Sequence, residues 1–150
     1  MARMQTVEER MARNEDGHQL AAQAAESVLR VAEAAIQQGL YGVSACHVGA
    51  NTNSGGVYWI TQATGSVVPT IHWYDSTKVL TYTGPSLGNV PAPKFVIECL
   101  PPATLPGEAM GAGGGGGGGG SGAPVYRITV QAAGPDGNPS TLLQSIFRFQ

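Results

Sequence analysis

Residues 20–36, LAAQAAESVLRVAEAAI, constrain this chain more than any other stretch. No Pro or Gly interrupts them, and alanine and other strong helix formers fill most positions, so the segment is helical by propensity. The apolar spacing carries the helix further toward the N-terminus. Met4, Val7, Met11, His18, Ala21, Ala25, Val28, Ala32 and Ala35 fall on alternating three- and four-residue steps, with Asn14 in the one polar slot. Glu9 with Arg13 and Glu26 with Arg30 add i,i+4 pairs in the favoured order on the other faces. The pattern predicts one helix over residues 3–38, stopped by Gly39.

Such a helix is about 50 Å long at 1.5 Å per residue. A domain of 150 residues is only about 30–35 Å across. One end must therefore overhang. The polar first part, residues 3–19 including Gly17, is the natural overhang. The Ala-rich second part has side chains small enough to lie close against a sheet. The chain also opens in mid-helix, at MARMQTVEERMARN, with no capping residue before the first periodic position. This raises the expectation that a further segment precedes it.

After Gly39 the character changes. Short β-prone runs, punctuated by Gly, Ser, Thr, Asn and Pro, occur at VYWITQ (57–62), TIHWY (70–74), KVLTYT (78–83) and KFVIECL (94–100). Two more, VYRITVQA (125–132) and TLLQSIFRF (141–149), flank AGPDGNPS, where Asp-Gly is a strong hairpin signal. Residues 1–150 thus read as a single α+β domain: a long helix packed on an antiparallel sheet of about four or more strands, with the β-rich head over 44–150. Residues 111–122, with the tract Gly113–Gly120, read as a flexible Gly-rich loop, because ordering glycine costs the most backbone entropy.

Charged residues make up 12% of the chain and the net charge is −2, with no Lys/Arg run to meet a phosphate backbone, which argues against direct nucleic-acid binding. No apolar run reaches the ~20 residues of a bilayer span. The histidines His18, His47 and His72 share no metal-ligand spacing. Ser44, Cys46 and His47 lack a nucleophile-elbow context, and Asp75, Glu98, Glu108 and Asp136 are too scattered for a two-carboxylate site. These observations argue against an enzyme, and no cofactor is implied. Tyr58, Trp59, Trp73 and Tyr74 read as neighbouring pairs with one member in the core and one on the outer face, the alternative being a ligand platform. Cys46 and Cys99 are the two cysteines. If bridged, they close a loop of 54 residues, worth about 4 kcal/mol in the chain-entropy model, and place the domain in an oxidising compartment. Two free buried thiols in a cytosolic protein are the other possibility.

Two blocks carry a family resemblance. The first runs Thr6, Glu9, Met11, Ala12 and Asn14, then Leu20, Ala21, Gln23, Ala24, Ala25, Glu26, Leu29, Arg30, Ala32 and Glu33. It resembles the T-x-x-E-x-M-A-x-N and L-A-F-Q-A-A-E-x-x-L-R-x-A-E pattern that follows the membrane span in PilX-type minor pilins of type IV pili. The second, KFVIECLP (94–101) with VYRITVQAAGPDGNPSTLLQSIFRF, is similar to that family's Y-x-I-E-x-L-P strand and closing Y-R-I-T … V-L-Q-S hairpin, matched at Tyr126, Arg127, Ile128, Thr129, Leu143, Gln144 and Ser145. Ala22 stands where the family has an aromatic residue, and Asp16, Gly17 and His18 where it has Arg-Asp-Arg.

The resemblance implies a type IV pilin-like fold, with an N-terminal hydrophobic half-helix that anchors the full-length protein in the inner membrane and a periplasmic head later carried into the extracellular fimbrium. Met4, Val7 and Met11 would be the assembly-helix interface. Leu20, Ala21, Ala24, Ala25, Leu29, Tyr126, Ile128 and Leu143 would form the core that the family motif encodes. The implied role is non-catalytic priming of pilus assembly and twitching motility. The implied partners are other minor pilins, the major pilin and a large PilY-type tip adhesin in a low-copy complex. An adhesive, aggregation or ligand-binding pilus subunit and a type II secretion pseudopilin are the alternatives.

Overall fold

The computed structural model describes residues 2–40, 53–54, 56–59, 71–100 and 125–148. Cys46, His47, strand candidate residues 60–62 and the Gly-rich segment 111–122 lie outside the described residues.

Helix α1 runs Ala2–Gln37, 36 residues, or about 54 Å. Gly39 ends it with φ 71°, a left-handed conformation that glycine adopts without steric cost. The Gln38 N–H bonds the Ala34 carbonyl at 3.1 Å and the Gly39 N–H bonds that of Ile36 at 3.0 Å, satisfying carbonyls the helix end leaves open. Burial follows the three- and four-residue steps only in the second half: Ala21, Ala24, Ala25, Val28, Ala32, Ala35 and Ile36 are buried, whereas residues 4–16 are all exposed.

The sheet contains β1 (Asn53–Ser54), β2 (Val57–Trp59), β3 (Leu80–Thr81), β4 (Lys94–Leu100), β5 (Val125–Ala133) and β6 (Pro139–Arg148). Its order is β1-β2-β4-β5-β6, and β3 joins β4 on the edge that β2 also uses. The pairs are antiparallel except β2 with β4, which is parallel. This is the α+β pilin-like architecture read from the sequence, a long helix laid on a dominantly antiparallel sheet.

Helix α1 packs mainly across β5 and β6. Alternate residues of β5, namely Tyr126, Ile128, Val130 and Ala132, share one core with the helix stripe, with Phe95, Ile97 and Cys99 of β4 and with Val57 of β2. Burial pushes the Tyr126 phenol above its usual value of 10. Leu143 and Phe147 of β6 lie partly buried against the same core. Strand β4 is buried on both faces, because a second small cluster of Val96, Val79, Ile71 and Trp73 covers part of its outer side.

That cluster corrects one expectation. TIHWY reads as a strand, yet its described residues 71–74 form no strand and lead into a turn. Their burial alternates as a strand's does, but the edge of β4 they would pair with is occupied by β3 and β2. KVLTYT contributes only Leu80–Thr81 for the same reason of limited edge length.

Gly56 holds the junction between β2 and β3. Its φ is 91°, and a Cβ there would lie 2.7 Å from the Leu80 nitrogen and 2.9 Å from the Val79 carbonyl carbon. Its carbonyl accepts the Ile97 N–H at 2.9 Å. Only glycine supplies both the conformation and the space.

Candidate functional site

The β5–β6 hairpin decides where the head stops along the helix. Its turn is closed by the Gly137 N–H to the Gly134 carbonyl at 2.9 Å, with Gly137 at φ 79°. Asp136 accepts from the Asn138 backbone N–H at 3.2 Å and its amide side chain at 3.0 Å. These bonds, with a smaller contribution from the charge of His18, hold the Asp136 carboxyl below its usual 3.8. The turn also meets the helix backbone: a Cβ on Gly17 would sit 3.7 Å from Pro135 Cδ, and one on Gly134 would sit 3.4 Å from the Gly17 carbonyl oxygen. Gly17, one of the departures from the family pattern, thus sits where the hairpin tip comes closest to α1.

Beyond that contact the helix runs free. Residues 4–16 project roughly 20 Å past the hairpin at 1.5 Å per residue. On this overhang Met4 is 75% exposed, Val7 50% and Met11 67%. Their three- and four-residue spacing puts them on one face. The remaining overhang side chains are mostly polar, with Arg13 paired to Glu9 at 2.5 Å. Glu26 and Arg30, also placed to pair, are not among the ion pairs of the described residues. They are exposed, where such a contact is worth only about 0.3–0.5 kcal/mol.

The residues expected to form the motif core separate by position. Ala21, Ala24, Ala25, Tyr126 and Ile128 are buried, and Leu29 and Leu143 pack partly buried against the same cluster. Leu20 is 38% exposed. It follows the helix outward because the buried stripe begins one residue, or about 100°, further round at Ala21.

The polar motif residues meet in pairs that sequence reasoning does not connect. Glu98 of β4 lies opposite Arg127 of β5, and the Arg127 Nε donates to Glu98 Oε2. Glu98 is fully buried and Arg127 retains 18% side-chain exposure. Among the described residues, Glu98 Oε1 has no hydrogen-bond partner. The Gln144 amide donates to Thr129 Oγ1 across β5 and β6 at 3.1 Å. The Ser145 hydroxyl donates to Glu33 Oε1 at 2.9 Å, tying the helix to the last strand. The family resemblance matches each of these residues singly; their partnership follows from register and from the helix crossing.

Cys99 is buried and disulfide-bonded. Among the described residues no His, Cys, Asp and Glu side chains gather in a group of three or more that could hold a metal ion. Among them too, no helix is long and apolar enough to cross a membrane.

What this geometry displays is a structural surface: a head from which a helix with an apolar stripe projects. Neither a curated protein nor a solved structure matches the chain. The family model of the type IV pilus assembly protein PilX, C-terminal region, matches residues 49–149, beyond the helix and covering the sheet. The chain belongs to the PilX family of type IV pilus assembly proteins.

Proposed function

We propose that this protein is a non-catalytic minor pilin that primes type IV pilus polymerisation, acting in a low-copy tip complex with other minor pilins and a PilY-type adhesin. The observation that carries the reading is the overhang: Met4, Val7 and Met11 form an apolar stripe on a helix segment that the head does not cover. An apolar stripe of this spacing on an otherwise polar helix is a seam for another helix. On this reading the overhang continues an inner-membrane segment before assembly and enters the helical core of the filament afterwards. The head remains periplasmic and then extracellular, where a Cys46–Cys99 bridge would be stable.

The test is a triple substitution, Met4→Glu, Val7→Glu and Met11→Glu, in the chromosomal gene. The head should fold as before, since these side chains lie outside its core. Surface pili and twitching motility should fall to the level of a deletion strain. Normal pilus number with lost adhesion would transfer the protein to the adhesive class, and unchanged pili with a secreted enzyme trapped in the periplasm would transfer it to a secretion machine. Mass spectrometry of a non-reducing digest checks the bridge; free thiols at both cysteines in periplasmic protein would remove it.

A further inference from the structure

The segment 71–79 forms a hydrogen-bonded turn that carries one aromatic ring out into water. Ile71 and Trp73 turn inward onto Val79 and Val96, while His72 and Tyr74 turn outward. The Lys94 Nζ donates to the Trp73 carbonyl at 2.9 Å, the Asp75 N–H to the His72 carbonyl at 3.1 Å, and the Lys78 N–H to the Asp75 carbonyl at 2.9 Å. Asp75 Oδ1 accepts both the Thr77 N–H at 3.0 Å and its hydroxyl at 2.5 Å. Tyr74, at the apex, is 92% exposed. These bonds pin the backbone turn on either side of the ring.

Tyr74 borders an open, shallow surface depression whose described lining also includes His72, Asp75, Ser76 and Lys78. Asp75 Oδ2 forms an ion pair with Lys78 Nζ at 3.8 Å, beyond hydrogen-bond distance, and so retains acceptor capacity. The Thr77 hydrogen bonds, and then the charges of Lys78 and His72, keep the Asp75 carboxyl below its usual 3.8, so it is ionised at neutral pH. Asp75 and Lys78 offset one another in the lining, so neither a strongly anionic nor a strongly cationic ligand is favoured, and a single carboxylate is a poor cation cage.

We propose that this depression is a binding site for a neutral saccharide, one pyranose ring stacking its C–H face on Tyr74 and its hydroxyls bonding Asp75 and Ser76. An aromatic platform beside a carboxylate acceptor and a hydroxyl donor matches the two-faced chemistry of a sugar ring, apolar on one side and rimmed by hydroxyls. A protein partner would need an interface of about 1,000 Å² with an apolar centre, and the depression offers small polar groups around one ring. The pinned turn lowers the entropy lost on binding. This site is independent of pilus assembly, which runs through the helix.

Ligand-observed saturation-transfer NMR on the 150-residue chain, with glucose, galactose, N-acetylglucosamine and lactose as probes, tests the proposal. At least one sugar should bind with Kd on the order of 1 mM, with saturation strongest on the ring C–H protons. Tyr74→Ala should weaken that sugar roughly tenfold, Tyr74→Trp should retain it, and Asp75→Asn should weaken it. Leu142→Ala, an exposed apolar change on β6, should leave it unchanged. No saturation from any probe, or saturation insensitive to Tyr74, overturns the proposal. Loss of retention on other minor pilins in Tyr74→Ala, with no sugar bound by the parent chain, would also overturn it and make the ring a subunit contact.

Discussion

Replacing Arg127 by Met should be among the most damaging single changes on the outer face of the sheet. Arg127 supplies the hydrogen bond of the fully buried Glu98, whose second oxygen already lacks a partner among the described residues. Removing the guanidinium leaves a carboxylate with no counter-charge in a site without exposure, and breaking a buried pair in this way costs about 3–5 kcal/mol. The two partners are not equivalent. Arg127 keeps 18% side-chain exposure, so in Glu98→Gln the orphaned cation can turn toward water, and the cost should be smaller, about 1–3 kcal/mol. Replacing both, as Glu98→Met with Arg127→Met, removes both desolvation penalties and should bring stability back to within roughly 1 kcal/mol of the parent. Urea unfolding followed by far-ultraviolet circular dichroism reads all three. With an m value of about 2 kcal/mol/M, Arg127→Met should lower the midpoint by roughly 1.5–2.5 M. An Arg127→Met variant within about 1 kcal/mol of the parent, or a double variant as unstable as the single, would refute the argument that an orphaned buried charge sets the cost.

Gly56→Ala should destabilise the head by about 1–3 kcal/mol, since φ is 91° and the new carbon would meet backbone atoms of Val79 and Leu80 at 2.9 and 2.7 Å; thermal unfolding measures it, and an unchanged midpoint would show that the β2–β3 junction yields. The lowered Asp136 pKa has a definite sign. Its folded value lies below the usual 3.8, so its contribution is fully present above that value and is lost as pH falls through the folded pKa. The protection of the Asn138 amide, its exchange rate set against the intrinsic rate at each pH, should therefore fall as pH drops through the folded pKa below 3.8 in the parent and show a flatter pH dependence in Asp136→Asn; identical protection profiles would detach the turn from that carboxylate.

Part of this architecture is legible in the order of residues alone. The helix announces itself because alanine, valine and methionine on three- and four-residue steps leave few alternatives, and Gly39 and Asp136-Gly137 mark their turns, the two glycines through backbone conformations that other residues strain to reach. Other features depend on distances the sequence does not encode. Period-two burial at Ile71 and Trp73 reports a one-sided environment, and says nothing of whether an edge remains free to pair. The parallel direction of β2 leaves no hydrophobic signature in a three-residue strand. Glu98 and Arg127 stand in the sequence as isolated charges in apolar runs. Their union requires the register of β4 on β5, two strands separated by 24 residues in the sequence. The family resemblance implies a core position for Leu20, but a rotation of one residue sends it outward.

The bond from Ser145 to Glu33 closes a span of 112 residues, and that has a kinetic meaning. The partner strands for the helix stripe are the last two of the chain, so the first element made waits for the final one to be delivered. Closing a loop of that length costs about 4 kcal/mol of chain entropy before any contact rewards it, and a topology dominated by such distant pairings folds slowly. During delivery across a membrane, the alanine stripe and the edge of β4 would stand open to wrong partners until β5 and β6 arrive. If the protein enters a filament as proposed, a head built this way would have to dock its C-terminal hairpin before it could do so.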